Sequence, residues 1–187
     1  MRFLIVFLAF GLLPAMAQRP FSRDVSEHAK SLAPFVPSPQ PIVDRMLDLA
    51  ALKPGDTVYD LGCGDARVLI TAAQRFRAKG VGVELSPYLV RSANESVKRL
   101  NLQNQITIKE GDLRNVDLQG ADVVTIYLET NTNEMLRPIL EKSLHAGARV
   151  ISHDFEVRGW KPTKVERMES YNRNHTIYLY TMPPQKR

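Results

Sequence analysis

The sequence has little of what disulfide-bonded or metal-clustered small proteins depend on. Its 187 residues include one cysteine, Cys63, and four histidines. A single cysteine cannot form an intramolecular disulfide or a cysteine-based metal cluster, which excludes zinc-finger and disulfide-scaffold proteins. The histidines show no paired ligand spacing, so the sequence predicts no metal site. With ten glycines and twelve prolines, the composition also excludes a collagen-like or low-complexity chain.

Charge of one sign is not in strong excess. The chain has 25 Lys and Arg residues against 20 Asp and Glu residues, a formal net charge of +5. The two signs are interspersed along the sequence, whereas a nucleic-acid-binding protein concentrates its basic residues on one face or stripe. We therefore expect no nucleic-acid partner.

A long hydrophobic run occurs only at the N-terminus. Arg2 precedes an apolar run over residues 3–13, and the small-residue motif AMA follows and ends at Ala17. A positive start, an apolar centre and a small-residue cleavage motif are the three parts of a secretory signal. We expect residues 1–17 to be a signal peptide cleaved before Gln18, with export to the periplasm or the exterior. An uncleaved membrane anchor is the alternative, and membrane contact is then expected only through this segment.

The rest of the chain divides into an arm and one domain. Five prolines between residues 18 and 41 predict an extended arm over residues 18–40, because proline is excluded from helix interiors. The domain, residues 41–187, begins with a helix that has Pro41 in its first turn. It shows no internal repeat and no sign of a second domain.

Within the domain, strand-like and helix-like segments alternate. The predicted strands cover residues 57–61, 80–85, 106–109, 122–128 and 148–153; the predicted helices cover residues 66–76, 87–100 and 133–144, the second with Ser86 as its N-cap. Two further strand-like runs, 164–169 and 176–182, flank a turn at residues 171–174 and predict a terminal hairpin. The pattern indicates a Rossmann-like, doubly wound α/β fold with a mostly parallel seven-stranded sheet and a C-terminal antiparallel hairpin.

A glycine-rich turn joins the first strand to the helix that follows it. Gly62 and Gly64 allow backbone amides to approach a ligand at the positive end of this helix. Dinucleotide-binding folds use a similar turn, but Arg67 stands where their third glycine would be. Asp60 and Asp65 bracket the turn, and two carboxylates repel a pyrophosphate while they attract an ammonium or sulfonium group. The turn therefore predicts a zwitterionic ligand.

Three more residues belong to this candidate ligand site. Glu84 ends the second strand, where a carboxylate can accept both hydrogen bonds of a ribose diol. Asp112 follows the third strand and can accept from an adenine amino group, although an ordinary turn or helix-capping role is the alternative. Cys63 lies inside the glycine-rich turn, and we expect a small residue tolerated there rather than a nucleophile.

The sequence resembles the seven-stranded class I methyltransferases, which depend on S-adenosylmethionine. More closely, it resembles the family of the mitochondrial lysine methyltransferases of ATP synthase subunit c and adenine nucleotide translocase, with their bacterial relatives. The segments that carry it are FVPSPQ (35–40), YDLGCGD (59–65), YL (127–128) and SHDF (152–155). The resemblance implies a protein-lysine methyltransferase with S-adenosylmethionine as cofactor and a protein as partner. It also implies that Asp60 lies near the methionine amino group, Glu84 at the ribose and Asp112 near adenine.

The substrate side of the predicted site depends on other residues. Tyr127 ends the fourth strand, and its hydroxyl is the candidate catalytic group that orients the acceptor amine; an aromatic ring that only fills the sheet edge is the alternative. The candidates for the substrate channel are Phe35, Pro37, Gln40, His153 and Asp154. A structural role for His153 stays open. Trp160 is interpreted as either a hinge plug or a lid over the pocket.

Two other functions remain open at this point. A nicotinamide-dependent oxidoreductase would share the fold, although Asp65 and Arg67 disfavour it. A non-catalytic protein that keeps the fold for binding is the second alternative, because an exported protein lies apart from the cytosol, where the methyl donor is made.

Overall fold

The computed structural model describes residues 35–187. The predicted signal segment, residues 1–17, and residues 18–34 of the predicted arm lie outside the described residues. Residues 35–39 are extended, and the first helix starts at Gln40, one residue earlier than predicted. Pro39 is its N-cap residue, and Pro41 lies in its first turn as expected.

Helices and strands then follow in the predicted alternation. The helices are α1 Gln40–Leu49, α2 Arg67–Phe76, α3 Pro87–Arg99 and α4 Thr130–Ser143, with a short 3₁₀-helix over Leu113–Asn115. The strands are β1 Thr57–Leu61, β2 Lys79–Glu84, β3 Ile106–Glu110, β4 Val123–Ile126, β5 Arg149–His153, β6 Trp160–Lys161, β7 Lys164–Ser170, β8 Arg173–Thr181 and β9 Gln185–Lys186. Ser86 caps α3, since its Oγ accepts a hydrogen bond from the Leu89 amide at 3.4 Å, which confirms the predicted cap.

Seven of the strands form one sheet in the order β3-β2-β1-β4-β5-β8-β7. The five strands from β1 to β5 are parallel to one another, whereas β8 runs antiparallel to both β5 and β7. The predicted doubly wound fold, with a mostly parallel seven-stranded sheet and a terminal antiparallel hairpin, is confirmed. The small second sheet of β6 and β9 was not predicted, because two-residue strands give no periodic signal.

The terminal hairpin has a tighter turn than the sequence suggested. Strand β8 starts at Arg173 rather than at residue 176, so only Tyr171 and Asn172 separate β7 from β8. Both residues have positive φ, 50° and 58°. This is the backbone of a two-residue type I′ turn, whose twist matches that of the flanking strands.

The sheet buries one hydrophobic cluster on each face. Helices α1, α2 and α3 cover one face, and α4 with the 3₁₀-helix covers the other. Leu69 of α2 and Leu136 of α4 are fully buried on opposite faces. Burial of an aliphatic side chain of this size contributes about 1.5–3 kcal/mol. The carboxyl ends of the central strands are left open between these layers, which is where doubly wound sheets bind their ligands.

Trp160 is part of the second cluster and is fully buried. Its ring meets Tyr180 edge-on with centroids 5.3 Å apart, and its Nε1 donates to Glu141 at 2.6 Å. The lid interpretation is therefore wrong, because the indole is anchored against α4 and does not line the ligand cavity. Among the helices of residues 35–187, none has the length and apolar character needed to cross a membrane.

Candidate functional site

A cavity of about 1100 Å³ opens at the carboxyl ends of β1, β2 and β4. Strand β1 lies between β2 and β4. From β1 the chain adds strands β2 and β3 on one side and then β4 and β5 on the other, and this change of side leaves a crevice. Phe35, Pro37 and Ser38 of the extended segment close one side of the cavity. The volume is at the upper end of the range for small-molecule sites, which leaves room for a cofactor and part of an acceptor.

The turn between β1 and α2 forms the floor of this cavity. Gly62 and Gly64 have φ angles of +81° and +53°, in the region that favours glycine. A Cβ at Gly64 would lie 2.4 Å from the Phe35 ring, so the phenyl packs directly on bare backbone. Cys63 is buried between them and lines the cavity, and burial raises the pKa of its thiol. The thiol therefore stays protonated, in keeping with a packing role.

Asp60 places a buried carboxyl at the cavity wall. Thr125 of the neighbouring strand β4 donates to its Oδ1 at 2.7 Å. Burial raises the pKa of Asp60 to about 7, the Thr125 hydrogen bond opposes the shift, and the carboxylates of Glu84 and Asp65 add to it. A carboxyl in this environment gains most from a cationic ligand, because a positive charge removes both the repulsion and part of the burial cost.

Glu84 fixes the conformation of the glycine-rich turn. Its Oε2 accepts from the Gly64 amide at 3.0 Å, and its Oε1 accepts from the amides of Leu85 and Ser86 at 2.9 and 3.0 Å. A carboxylate has about four acceptor positions, so it retains capacity for a ligand hydroxyl. Glu84 thus lines the cavity and also ties β2 to the turn after β1.

Asp65 lines the cavity but is paired within the protein. Arg67 contacts its Oδ2 at 2.6 Å and also donates to the Ser38 carbonyl at 3.0 Å. Burial alone would raise the pKa of Asp65. The hydrogen bonds and charge of Arg67 outweigh this effect and hold the pKa of Asp65 below its usual value. The charge of this carboxylate is therefore offset by Arg67, and Asp60 is left as the carboxyl of the turn that has no cationic side chain paired with it.

Asp112 has the capping role that the sequence left as an alternative. Its carboxylate accepts from the Arg114 amide at 2.9 Å and forms an ion pair with the Arg114 side chain, which lowers the pKa of Asp112. Its neighbours Glu110 and Leu113 line the cavity, but Asp112 is not one of the described residues that do so. The expected contact with adenine is not supported, because the carboxylate turns back to begin the 3₁₀-helix.

Tyr127 lies on the cavity wall beyond the end of β4. Its ring packs on the His153 imidazole with centroids 3.9 Å apart, and its hydroxyl lies 3.5 Å from Asp154 Oδ2. Burial, and then the Asp154 carboxylate, raise the pKa of Tyr127. The hydroxyl is therefore neutral near pH 7 and suited to orienting a polar group by hydrogen bonding rather than to acting as a phenolate base.

Contrary to the prediction, His153 and Asp154 do not line the cavity. His153 is completely buried behind Tyr127, where its Nδ1 pairs with Ser38 Oγ at 2.8 Å and its Nε2 with His175 Nδ1 at 2.9 Å. Burial lowers the pKa of His153 to about 4, so the imidazole is neutral. The structural interpretation of this histidine fits its position, and both residues contact the site through Tyr127.

Two of the other three candidates for the substrate channel line the cavity, and the third does not. Phe35 and Pro37 line the cavity. Gln40 does not, because it is the first residue of α1 and its amide donates to Asp44 and Thr71, both at 3.0 Å.

Sequence reasoning missed several residues of the site. Thr125 pairs in register with Asp60, so the order of strands β1 and β4 was the signal that would have found it. Two further cavity residues are Glu110, which ends β3, and Glu129, which follows β4. Among residues 35–187, the charged residues that line the cavity are five carboxylates and one guanidinium: Asp60, Asp65, Glu84, Glu110, Glu129 and Arg67. The cavity is therefore acidic on a chain that is basic as a whole.

Known proteins are similar to this chain in sequence and in fold. Residues 60–164 match a family described as the ANTKMT methyltransferase domain. A protein-lysine N-methyltransferase of Saccharolobus islandicus is 47% identical over 154 residues, which are 82% of this chain and 96% of that protein. The adenine nucleotide translocase lysine N-methyltransferase of Mus musculus is 32% identical over 132 residues, which are 71% of this chain and 57% of that protein.

A solved structure is also closely similar. It is an RNA methyltransferase from Salinibacter ruber in complex with S-adenosyl-L-homocysteine, with a TM-score of 0.76 and 42% sequence identity. The superposition covers 79% of this chain and 94% of that one. These similarities argue against the oxidoreductase and the non-catalytic alternatives. The chain belongs to the ANTKMT methyltransferase family and is an S-adenosylmethionine-dependent methyltransferase, as the resemblance of its sequence implied.

Proposed function

We propose that this methyltransferase transfers methyl groups to lysine side chains of a protein. The observation that carries the proposal is the charge of the cavity, which five carboxylates and one guanidinium line. The guanidinium of Arg67 is already paired with Asp65. Such a cavity attracts a lysine ammonium and repels a phosphate backbone.

The cofactor side of the cavity fits a ligand with an ammonium and a ribose. Asp60 offers a buried carboxyl whose pKa is raised to about 7, and a ligand ammonium would stabilise its charged form. The turn at Gly62 and Gly64 presents backbone next to the cavity, and Glu84 has acceptor capacity left for a ligand hydroxyl. When it is bound, S-adenosylmethionine supplies an electrophilic methyl group on a sulfonium.

The acceptor side of the cavity is formed by Tyr127 and the extended segment. The Tyr127 hydroxyl is neutral and can accept a hydrogen bond from an amine or donate one to Asp154. Phe35 is about half exposed at the cavity and offers an apolar surface to the aliphatic part of a lysine. These residues hold the nucleophile in place, and positioning is the main contribution a protein makes to such a transfer.

Attack requires the amine to lose its proton first. Neutralising a free lysine at pH 7 costs about 4.6 kcal/mol, from its reference pKa of roughly 10.4. The carboxylates that attract the ammonium also stabilise its charge, so only burial and the positive charge of the donor lower this cost. We expect the rate to rise with pH until the bound lysine is mostly neutral.

RNA is the second candidate substrate, because the similar Salinibacter ruber structure is of a protein described as an RNA methyltransferase. The two substrates are separated by incubating the purified chain with radiolabelled methyl donor and an extract of the source cells. Portions of the product are then treated with protease or ribonuclease, and peptides are analysed by mass spectrometry. We expect label that protease releases, located on lysine.

The matched control is the Asp60→Ala variant, which should incorporate much less label than the parent chain because its cofactor binding is weakened. Label released by ribonuclease and absent from lysine would reject the lysine assignment while leaving the methyltransferase intact. Label found equally with Asp60→Ala would show that the incorporation does not depend on this cavity.

A further inference from the structure

Three side chains converge behind Tyr127, on the acceptor side of the cavity. His153 ends β5, Asp154 follows it, and His175 lies on the antiparallel strand β8. His153 Nε2 lies 2.9 Å from His175 Nδ1, and Asp154 Oδ2 lies 3.2 Å from the latter and 3.4 Å from the former. Two imidazole nitrogens and one carboxylate oxygen thus form a small, nearly equilateral triangle.

This triangle has the dimensions of one face of a metal coordination polyhedron. Tetrahedral ligands at about 2.0–2.1 Å from an ion are separated from one another by roughly 3.3 Å. Two histidines and one carboxylate suit borderline divalent ions such as zinc and leave a further position open. We propose that His153, His175 and Asp154 bind one divalent transition-metal ion of the zinc class.

The ligand side chains are already oriented by other groups. Ser38 Oγ pairs with His153 Nδ1 at 2.8 Å and leaves Nε2 directed at the triangle. The Thr176 amide donates to Asp154 Oδ1 at 2.9 Å and leaves Oδ2 for the ion. Partners of this kind fix the tautomer and direction of metal ligands. Asp154 also has a φ of 60°, a left-handed backbone that returns its carboxylate towards β8.

The site is enclosed but not sealed. His153 and His175 are 0% and 3% exposed, and the Asp154 side chain is 12% exposed. Arg173 contacts Asp154 Oδ2 at 3.1 Å, but its side chain is 56% exposed and free to turn into solvent when an ion takes its place. The two imidazoles face each other as a hydrogen-bonded pair, so one of the two facing nitrogens carries a proton. To bind an ion, both nitrogens would have to present a lone pair. His153 would then carry its proton on Nδ1, beside Ser38 Oγ, and His175 on its Nε2, so that each imidazole stays neutral and no proton is released.

An ion at this position would join three separate parts of the chain. It would tie the end of β5 to β8 and, through Ser38 and His153, to the extended segment that closes the cavity. The Tyr127 ring rests on the His153 imidazole, with centroids 3.9 Å apart. The ion would therefore hold Tyr127 and the extended segment in place on the acceptor side, without touching the reacting atoms. This role is independent of which substrate is methylated.

The test is a metal titration of the untagged, chelator-treated full chain. We expect one Zn²⁺ per chain by elemental analysis after dialysis, and visible absorption of a tetrahedral site when Co²⁺ replaces it. His175→Ala and Asp154→Asn should each lower Zn²⁺ affinity at least 100-fold. His145→Ala is the matched control, since this exposed histidine lies outside the triangle, and it should bind like the parent chain.

Two results would overturn the proposal. The parent chain binding less than about a tenth of an equivalent of Zn²⁺ would show that the triangle is only a hydrogen-bonded network. Stoichiometric binding that persists in both folded variants would place the ion elsewhere. Circular dichroism establishes whether the variants are folded, and Ser38→Ala, which keeps all three ligands, is expected to lower the affinity roughly ten-fold.

Discussion

The two sides of the cavity are built in different ways. On the cofactor side, the key contacts are close in sequence or within one crossover: Arg67 pairs with Asp65 two residues away, and Glu84 accepts from Gly64, twenty residues away, and from Leu85 and Ser86. On the acceptor side, Ser38 meets His153 across 115 positions. A short motif can therefore specify the cofactor side, whereas the acceptor side exists only when distant segments have packed together.

The largest effect is expected from Glu84→Ala, which breaks the cofactor side. The variant removes the acceptor for three backbone amides and the proposed ribose contact together. We expect S-adenosylmethionine affinity to fall by about 1.5–3 kcal/mol, or roughly 10- to 150-fold, as charge-assisted hydrogen bonds are lost. Isothermal titration calorimetry measures the change. Glu95→Ala, an exposed carboxylate on α3, is the control and should bind normally.

The second effect, Tyr127→Phe, breaks the acceptor side alone. We expect kcat for lysine methylation to fall about ten-fold while cofactor affinity is nearly unchanged, because the lost hydroxyl orients the acceptor and not the donor. Single-turnover methylation of a peptide substrate measures it. Tyr178→Phe, on β8 and outside the cavity lining, is the control. An equal loss of cofactor affinity in Tyr127→Phe would mean that the two sides are not separable in this way.

A third prediction uses pH to sharpen the comparison. The pKa of Asp60 is raised to about 7 in the folded protein, so its carboxyl is increasingly protonated below that pH. Pairing with a ligand ammonium then requires loss of a proton. We expect cofactor affinity to fall by at most ten-fold per pH unit between about pH 7 and 5.5, a range in which the ligand amino group stays charged. In Asp60→Asn this slope should vanish, and an unchanged slope would assign it to another group.

The protonation of Asp60 should also change folding stability, but with the opposite dependence on pH: cofactor affinity rises with pH, whereas this contribution to stability falls. Because the folded-state pKa of Asp60 lies above the reference value of 3.8, the folded protein binds this proton more tightly than the unfolded chain. Its contribution therefore lowers the free energy of unfolding as pH rises from about 4 to about 7. Urea unfolding of the parent chain and Asp60→Asn across this range measures the difference.

The smallest effect is expected from Ser38→Ala. The variant removes one buried hydrogen bond to His153 and should lower the free energy of unfolding by about 1 kcal/mol. A double-mutant cycle with His153→Asn isolates this contact from the rest of the acceptor side. Strictly additive losses would show that the serine and the histidine stabilise the protein independently.

The sequence by itself determined the class of the main sheet and the glycine-rich turn with its acids, but not the contact of Thr125 with Asp60. The alternation of strands and helices, the glycine turn and the acids Asp60 and Glu84 were all readable, because periodicity and turn chemistry are local properties. The boundaries were less certain, since α4 begins at Thr130 rather than at residue 133 and β8 begins at Arg173. For Asp112 the sequence left a helix cap and an adenine contact open, because both require the same residue type at the end of a strand, and the structure shows the cap.

Only the tertiary structure decided the acceptor side. The sequence predicted no metal site because His153 and His175 are 22 positions apart and show no ligand spacing. Antiparallel pairing of β5 with β8 removes that separation, since it places the two histidines two residues out of register on neighbouring strands. The same pairing puts His153 behind Tyr127 instead of in the cavity. Contacts of this kind depend on strand order and on the closing of long loops, which no local pattern of residues records.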